Sequence, residues 1–122
     1  MSHPILIVDD SALVRAATTR TLAGRGLAVT ALGSSEEALG VDPTRFALAL
    51  LDIELGDGSG PDVAARLRVR SPALPIAFLT GGGPPGSLDL ARTFGPVFDK
   101  TAGMEDAIGW IVSVLAGLGA AI

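Results

Sequence analysis

No cysteine occurs anywhere in the 122 residues, so disulfides, thiol nucleophiles and cysteine-ligated metal are all excluded. Histidine is almost as scarce. The single copy, His3, stands near the start, leaving no histidine cluster for zinc and no interior histidine to carry a phosphoryl group. The nine basic residues are scattered through a chain of net charge −4. Without a basic stripe to track a phosphate backbone, direct nucleic-acid binding is not expected. The opening Met-Ser-His-Pro-Ile lacks the basic segment and small-residue cleavage site of a signal peptide. The most membrane-like stretch, 107–122, carries no charge, but it falls short of the ~20 residues that span a bilayer. Gly109, Gly117 and Gly119 also break it. It reads as a buried terminal helix, and a cytoplasmic protein without a membrane segment is expected.

Lysine is nearly absent too: Lys100 is the only one, against eight arginines. What the chain does have is apolar residues, 48% of the total, enough for the packed core of one domain spanning 1–122. They alternate between two patterns. Ile5–Val8, Leu27–Leu32, Phe46–Asp52, Pro75–Thr80 and Pro96–Lys100 are short runs bounded by turn signals, which is how buried strands of a parallel sheet read. Between them lie helical stretches. The first, 11–23, has Val14, Ala17, Thr21 and Leu22 at helical spacing, a capping Ser11 or Asp10, and Gly24 and Gly26 at its end. Others are expected at 34–39, from Pro61 to about Arg70, at 87–94 and from about Met104 to Leu118. Five β/α units predict an α/β fold, a three-layer, doubly wound, five-stranded parallel sheet in a single domain.

In such sheets ligands bind beyond the carboxyl ends of the strands. Four of the runs end there in polar residues: Asp9 and Asp10, Asp52, Thr80, and Asp99 with Lys100. Crowding Asp9, Asp10 and Asp52 makes it costly to ionise all three, a cost that a divalent cation removes. An oxygen-only, partly hydrated shell is what Mg²⁺ favours. A carboxylate can also be a nucleophile that forms an acyl phosphate, and phosphoryl transfer needs mainly positioning and charge neutralisation. Asp52, on a central strand opposite the Asp9/Asp10 pair, fits the nucleophile. The Thr80 hydroxyl and the Lys100 ammonium suit the phosphoryl oxygens. Each residue also has a plainer explanation: helix capping for Asp9 and Asp10, a strand-end turn for Thr80, a solvated cation for Lys100.

Together these residues carry a resemblance. Ile-Val-Asp-Asp-Ser at 7–11, Leu-Leu-Asp-Ile-Glu-Leu-Gly-Asp-Gly-Ser-Gly at 50–60, Leu-Thr-Gly at 79–81 and Phe-Asp-Lys at 98–100 resemble the receiver domain of two-component response regulators, over essentially the whole chain. The resemblance implies a flavodoxin-like sheet of order 2-1-3-4-5. It implies phosphorylation of Asp52 by a sensor histidine kinase or histidine phosphotransfer protein, with Thr80 and Lys100 assisting. It implies Mg²⁺ held by Asp9, Asp10, Asp52 and the backbone carbonyl of Glu54. The domain would be a phosphoacceptor that assists its own phosphorylation and dephosphorylation, not a turnover enzyme.

Three departures from the family pattern stand out. Thr101 replaces the proline that usually follows the lysine in a cis peptide, and since a cis non-proline bond costs roughly 2.5–4 kcal/mol, a trans Lys100–Thr101 bond is expected. Val97 stands where the family often has a reorienting Tyr or Phe, while Phe98 should face the other side of the strand. The stretch 81–86, Gly-Gly-Gly-Pro-Pro-Gly, replaces the usual start of helix 4 and should reshape it.

The leading expectation is a single-domain response regulator that signals to a downstream protein through helix 4, strand 5 and helix 5. On helix 5, Ile108, Ile111, Val112 and Leu115 cluster within about 100° and should be buried, with Trp110 roughly 150° away and largely outside the core. The alternative is a phosphorylation-independent pseudo-receiver acting as an interaction module. A haloacid-dehalogenase-type phosphohydrolase fits worse, because that chemistry places Asp-x-Asp on the first strand, and here Asp9-Asp10 are adjacent.

Overall fold

A computed structural model describes residues 4–82 and 85–118. Five parallel strands form one sheet: β1 (Ile5–Val8), β2 (Val29–Leu32), β3 (Leu48–Asp52), β4 (Ile76–Thr80) and β5 (Val97–Asp99). Their spatial order is β2-β1-β3-β4-β5, the expected 2-1-3-4-5. Between and after them run α1 (Ala12–Ala23), α2 (Ser35–Leu39), α3 (Gly60–Arg70), α4 (Pro85–Arg92) and α5 (Glu105–Gly117).

Strand alternation divides the core in two. Leu6, Val8, Ala49, Leu51, Ile76 and Phe78 face α2, α3 and α4, where Ala38, Val63, Leu67 and Ala91 meet them. Ile5, Ile7, Leu48, Leu50, Ala77 and Leu79 face α1 and α5, against Leu22, Ala107, Ile111 and Leu115. β1, β3 and β4 are buried along their whole length. That explains their unbroken apolar runs, since a central strand covered on both faces has no wet side to alternate with.

Sheet register positions the rim. Val8 pairs with Leu51, so the next residues, Asp9 and Asp52, stand side by side. Asp52 pairs with Leu79, and Thr80 with Asp99. From β3 to β4 and again from β4 to β5 the polar rim therefore advances by one residue, to Thr80 and then to Lys100.

Two helix faces differ from the sequence expectation. In α1 the buried residues are Thr18 and Leu22, with Ala17 and Thr21 exposed, and Arg15, one turn before Thr18, is drawn inward. Its guanidinium donates to the Asp9 carbonyl at 2.8 Å and fills the space beside Gly33. In α5 the buried line is Ala107, Ile111 and Leu115, and Ile108 and Val112 are only half-buried. The face is thus centred on Ile111, which places Trp110 at its margin, roughly 100° away. There Trp110 is half-buried and packs on Phe98, ring centroids 6.5 Å apart. Val97 and Phe98 do face opposite layers, and the Lys100–Thr101 peptide is trans. Of the 81–86 stretch, α4 begins at Pro85, and positions 83 and 84 lie outside the described residues, as do His3 and 119–122.

Candidate functional site

Asp9 follows β1 directly and is 1% exposed. Its backbone amide donates to the Leu32 carbonyl at 3.0 Å, and its Oδ1 accepts from the Ser11 amide at 2.9 Å. Ser11 in turn caps α1, its hydroxyl accepting from the Val14 amide. The expected cap is therefore Ser11, which leaves Asp10 exposed at the cleft. Asp52 ends β3 and is 8% exposed. Carboxylate oxygens of Asp9, Asp10 and Asp52 lie within 4.8 Å of one another.

Lys100 opens the turn after β5, and its Nζ reaches back to both buried carboxylates, 2.8 Å from Asp9 Oδ2 and 3.1 Å from Asp52 Oδ2. The second contact is a directed hydrogen bond. The first is an ion pair only, so the buried Asp9 Oδ2 has no directed donor. Burial pushes the Asp52 carboxyl up to about 6; the Lys100 hydrogen bond opposes that rise, and the Asp9 and Asp10 charges add to it. Burial alone would lower the Lys100 ammonium, but its contacts with Asp9 and Asp52 outweigh it and hold the group above the ordinary lysine value. Three crowded oxygens, one lacking a directed partner and one on a carboxyl reluctant to ionise, are a donor set that a hard divalent cation would satisfy.

Thr80 ends β4 and is 9% exposed. Its hydroxyl is turned onto its own loop, donating to the Gly82 carbonyl at 2.6 Å and accepting from the Gly82 amide at 3.1 Å. Gly82 has φ +120°, a conformation that side-chain-bearing residues rarely adopt. An open cleft of about 480 Å³ sits over the site, lined by Asp52, Asp10, Lys100, Glu54 and the Gly56, Gly81 and Gly82 backbone. A larger groove of about 630 Å³ lies between α2 and α3, along Ser35, Leu39, Asp57, Arg66 and Val69. Among the described residues the cluster of three carboxylates lies at the smaller cleft, beside Lys100, so chemistry favours that one.

Several supporting residues were not anticipated. Arg15 steadies the Asp9 backbone, and its place one turn past the capping Ser11, on the inward side, is the signal that could have found it. Asp57 sits in the tight turn between two short antiparallel segments, Glu54–Leu55 and Gly58–Ser59. Its carboxylate accepts from the Ser35 and Glu36 amides at 2.8 and 3.0 Å, tying the cleft wall to the start of α2. Those backbone bonds hold its carboxyl below the ordinary range. Gly60 begins α3 against β3, where any Cβ would collide with the Asp52 carbonyl oxygen.

Comparison with known proteins agrees with this arrangement. The family model of the response regulator receiver domain matches residues 5–89. The acid tolerance regulatory protein ActR of Sinorhizobium medicae is 38% identical over 80 residues, 65% of this chain. Those residues make up 41% of ActR, so the match spans about two-fifths of that longer relative. Among solved structures, a CheY-like receiver domain protein from Methanospirillum hungatei superposes with a TM-score of 0.87 at 24% identity, covering 96% of each chain. The response regulator TrrA of Thermotoga maritima, solved in complex with Mg²⁺-BeF, gives a TM-score of 0.82 at 24% identity over 93% of this chain and 99% of that one. With the five polar residues at the strand ends and the 2-1-3-4-5 sheet beneath them, the chain belongs to the response regulator receiver domain family.

Proposed function

We propose that this chain is a single-domain response regulator that accepts a phosphoryl group on Asp52 from a histidine kinase or histidine phosphotransfer protein, in the cytoplasm. The observation that carries the reading is the Asp52 carboxylate, nearly buried yet lining the open cleft, with Lys100 Nζ at 3.1 Å and two further carboxylates beside it. Asp9, Asp10, Asp52 and the Glu54 carbonyl would hold Mg²⁺, which when bound offsets the charge of the carboxylates and of the incoming phosphoryl oxygens.

In this reading the chain's own groups divide the work. An Asp52 oxygen attacks phosphorus as the bond from phosphorus to the donor imidazole breaks, and the imidazole leaves. Lys100 shifts from the Asp52 carboxylate to a phosphoryl oxygen, staying near Asp9. Thr80 releases Gly82 and donates its hydroxyl to another phosphoryl oxygen. Freeing Gly82 alters the loop ahead of α4, which carries the event to the α4–β5–α5 face, where a downstream protein would read it. Among the described residues no helix is long and apolar enough to cross a membrane.

A pseudo-receiver is the competing reading, favoured by Val97 in place of a ring and by a Thr80 hydroxyl already satisfied by Gly82. Incubation with acetyl phosphate and Mg²⁺, followed by intact mass, separates them. One phosphoryl adduct that disappears in Asp52→Asn supports the proposal. An unmodified wild-type chain supports the pseudo-receiver, and continuous phosphate release would point to a hydrolase.

A further inference from the structure

The turn that aims Lys100 has Thr101 where the family usually has proline. Asp99 is the last residue of β5, and residues 100–102 form one turn of 3-10 helix. The Thr101 amide and the Thr101 hydroxyl both donate to Asp99 Oδ1, at 2.8 and 2.7 Å. Lys100 lies between these two partners, and Gly103, at φ +89°, ends the turn. Rotating the Lys100 backbone would therefore break two hydrogen bonds at once.

We infer that Asp99 and Thr101 act as a clamp that fixes the direction of the Lys100 side chain toward Asp9 and Asp52. The inference deepens the proposed function and rests on that reading for its kinetic consequence. A lysine has a flexible four-carbon stem, so its two contacts with the carboxylates depend on where its backbone points. The ladder pair of Thr80 with Asp99 joins the clamp to the strand that carries the hydroxyl. Neither clamp residue touches the reacting atoms. Asp99 is exposed, its carboxylate is spent on Thr101, and those same bonds hold its carboxyl below the ordinary value.

Because Lys100 is the only lysine, ¹⁵N-lysine labelling gives one side-chain ammonium signal for the whole protein. In the wild type that signal should be shifted and protected from exchange by Asp9 and Asp52. Thr101→Val removes the hydroxyl at nearly constant shape and should return the signal toward that of free lysine. It should also slow phosphorylation by acetyl phosphate by about 10-fold, a modest misplacement of a charged group. Thr101→Ser keeps the hydroxyl and should restore both readouts, which loss of general stability would not explain. Asp99→Ala removes both hydrogen bonds and should have an effect at least as large as Thr101→Val. An unchanged ammonium signal in Thr101→Val, or a Thr101→Ser that fails equally, overturns the clamp. If the wild type takes up no phosphoryl group, the proposed function fails, and the clamp stands or falls on the ammonium signal alone.

Discussion

The two halves of the cleft are built differently. On the carboxylate side, Asp9 and Asp52 project from β1 and β3, central strands buried on both faces, and their backbones are held by Leu32, Arg15 and the start of α3. On the other side, Thr80 also ends a buried strand and Lys100 opens the turn after β5, but the functional group of each is occupied by a partner inside the chain. The acidic half is preorganised, whereas the half that would read a phosphoryl group must first let go of something. That fixed geometry carries a cost: burial, with the Asp9 and Asp10 charges adding to it, raises the Asp52 carboxyl and makes its ionisation harder than in water.

The contrast can be broken from the fixed side. Gly60→Ala should push the added methyl into the Asp52 carbonyl and lower stability by about 2–3 kcal/mol, as overpacking does, measured by urea denaturation. Lys100→Met leaves Asp9 and Asp52 without their cation. With the lysine side chain 21% exposed, a loss of about 2 kcal/mol is expected, below that of a fully buried pair. Millimolar Mg²⁺ should recover part of it, while phosphorylation falls roughly 100-fold.

Asp52→Asn sharpens the electrostatic side. The Asp52 carboxyl sits near 6 in the fold against an unfolded value of 3.8, so its stabilising contribution is complete below 3.8 and is lost as pH rises through 6. At pH 7 without metal, Asp52→Asn should therefore be more stable than the wild type by about 1–2 kcal/mol, after discounting for solvent screening. The gap should close as pH falls toward 4. Thermal melts at the two pH values test it, and a gap that widens on acidification would refute the assignment. Thr80→Val should change least. Both groups that its hydroxyl meets are backbone beside an open cleft, so stability should move by less than about 1 kcal/mol. Mg²⁺ affinity, followed by titration calorimetry, should stay within about twofold while phosphorylation drops about 10-fold.

Most of the rim was legible in the sequence because one physical rule governs it. Strands covered on both faces are continuous apolar runs, so the first polar residue after each run marks the rim, and Asp9, Asp52 and Thr80 all follow that rule. Helix faces were harder. Ala17 and Thr21 are small enough to sit on either side of α1, and the inward turn of Arg15 depends on the Asp9 carbonyl and the gap at Gly33, neither of which shows in local spacing. For α5, a stretch with few polar residues gives a weak guide to its buried side, which is why the expected line included the half-buried Ile108 and Val112 and missed Ala107. The Asp57 tether joins residues 21 and 22 positions apart, beyond any local pattern.

The Thr80–Gly82 pair has a further consequence, for what can trigger the domain. A competitor for the hydroxyl is attached two residues away and never diffuses off, so a passing anion meets it at a very high effective concentration. A neutral or weakly accepting group at the cleft mouth offers nothing better than the Gly82 carbonyl. Only a strongly charged oxygen held in place by covalent attachment gains the roughly twofold stronger bond of a charge-assisted contact. Under the proposed function, the loop would act as a threshold, holding the Thr80 hydroxyl against free phosphate and carboxylates and yielding it to a phosphoryl group fixed on Asp52.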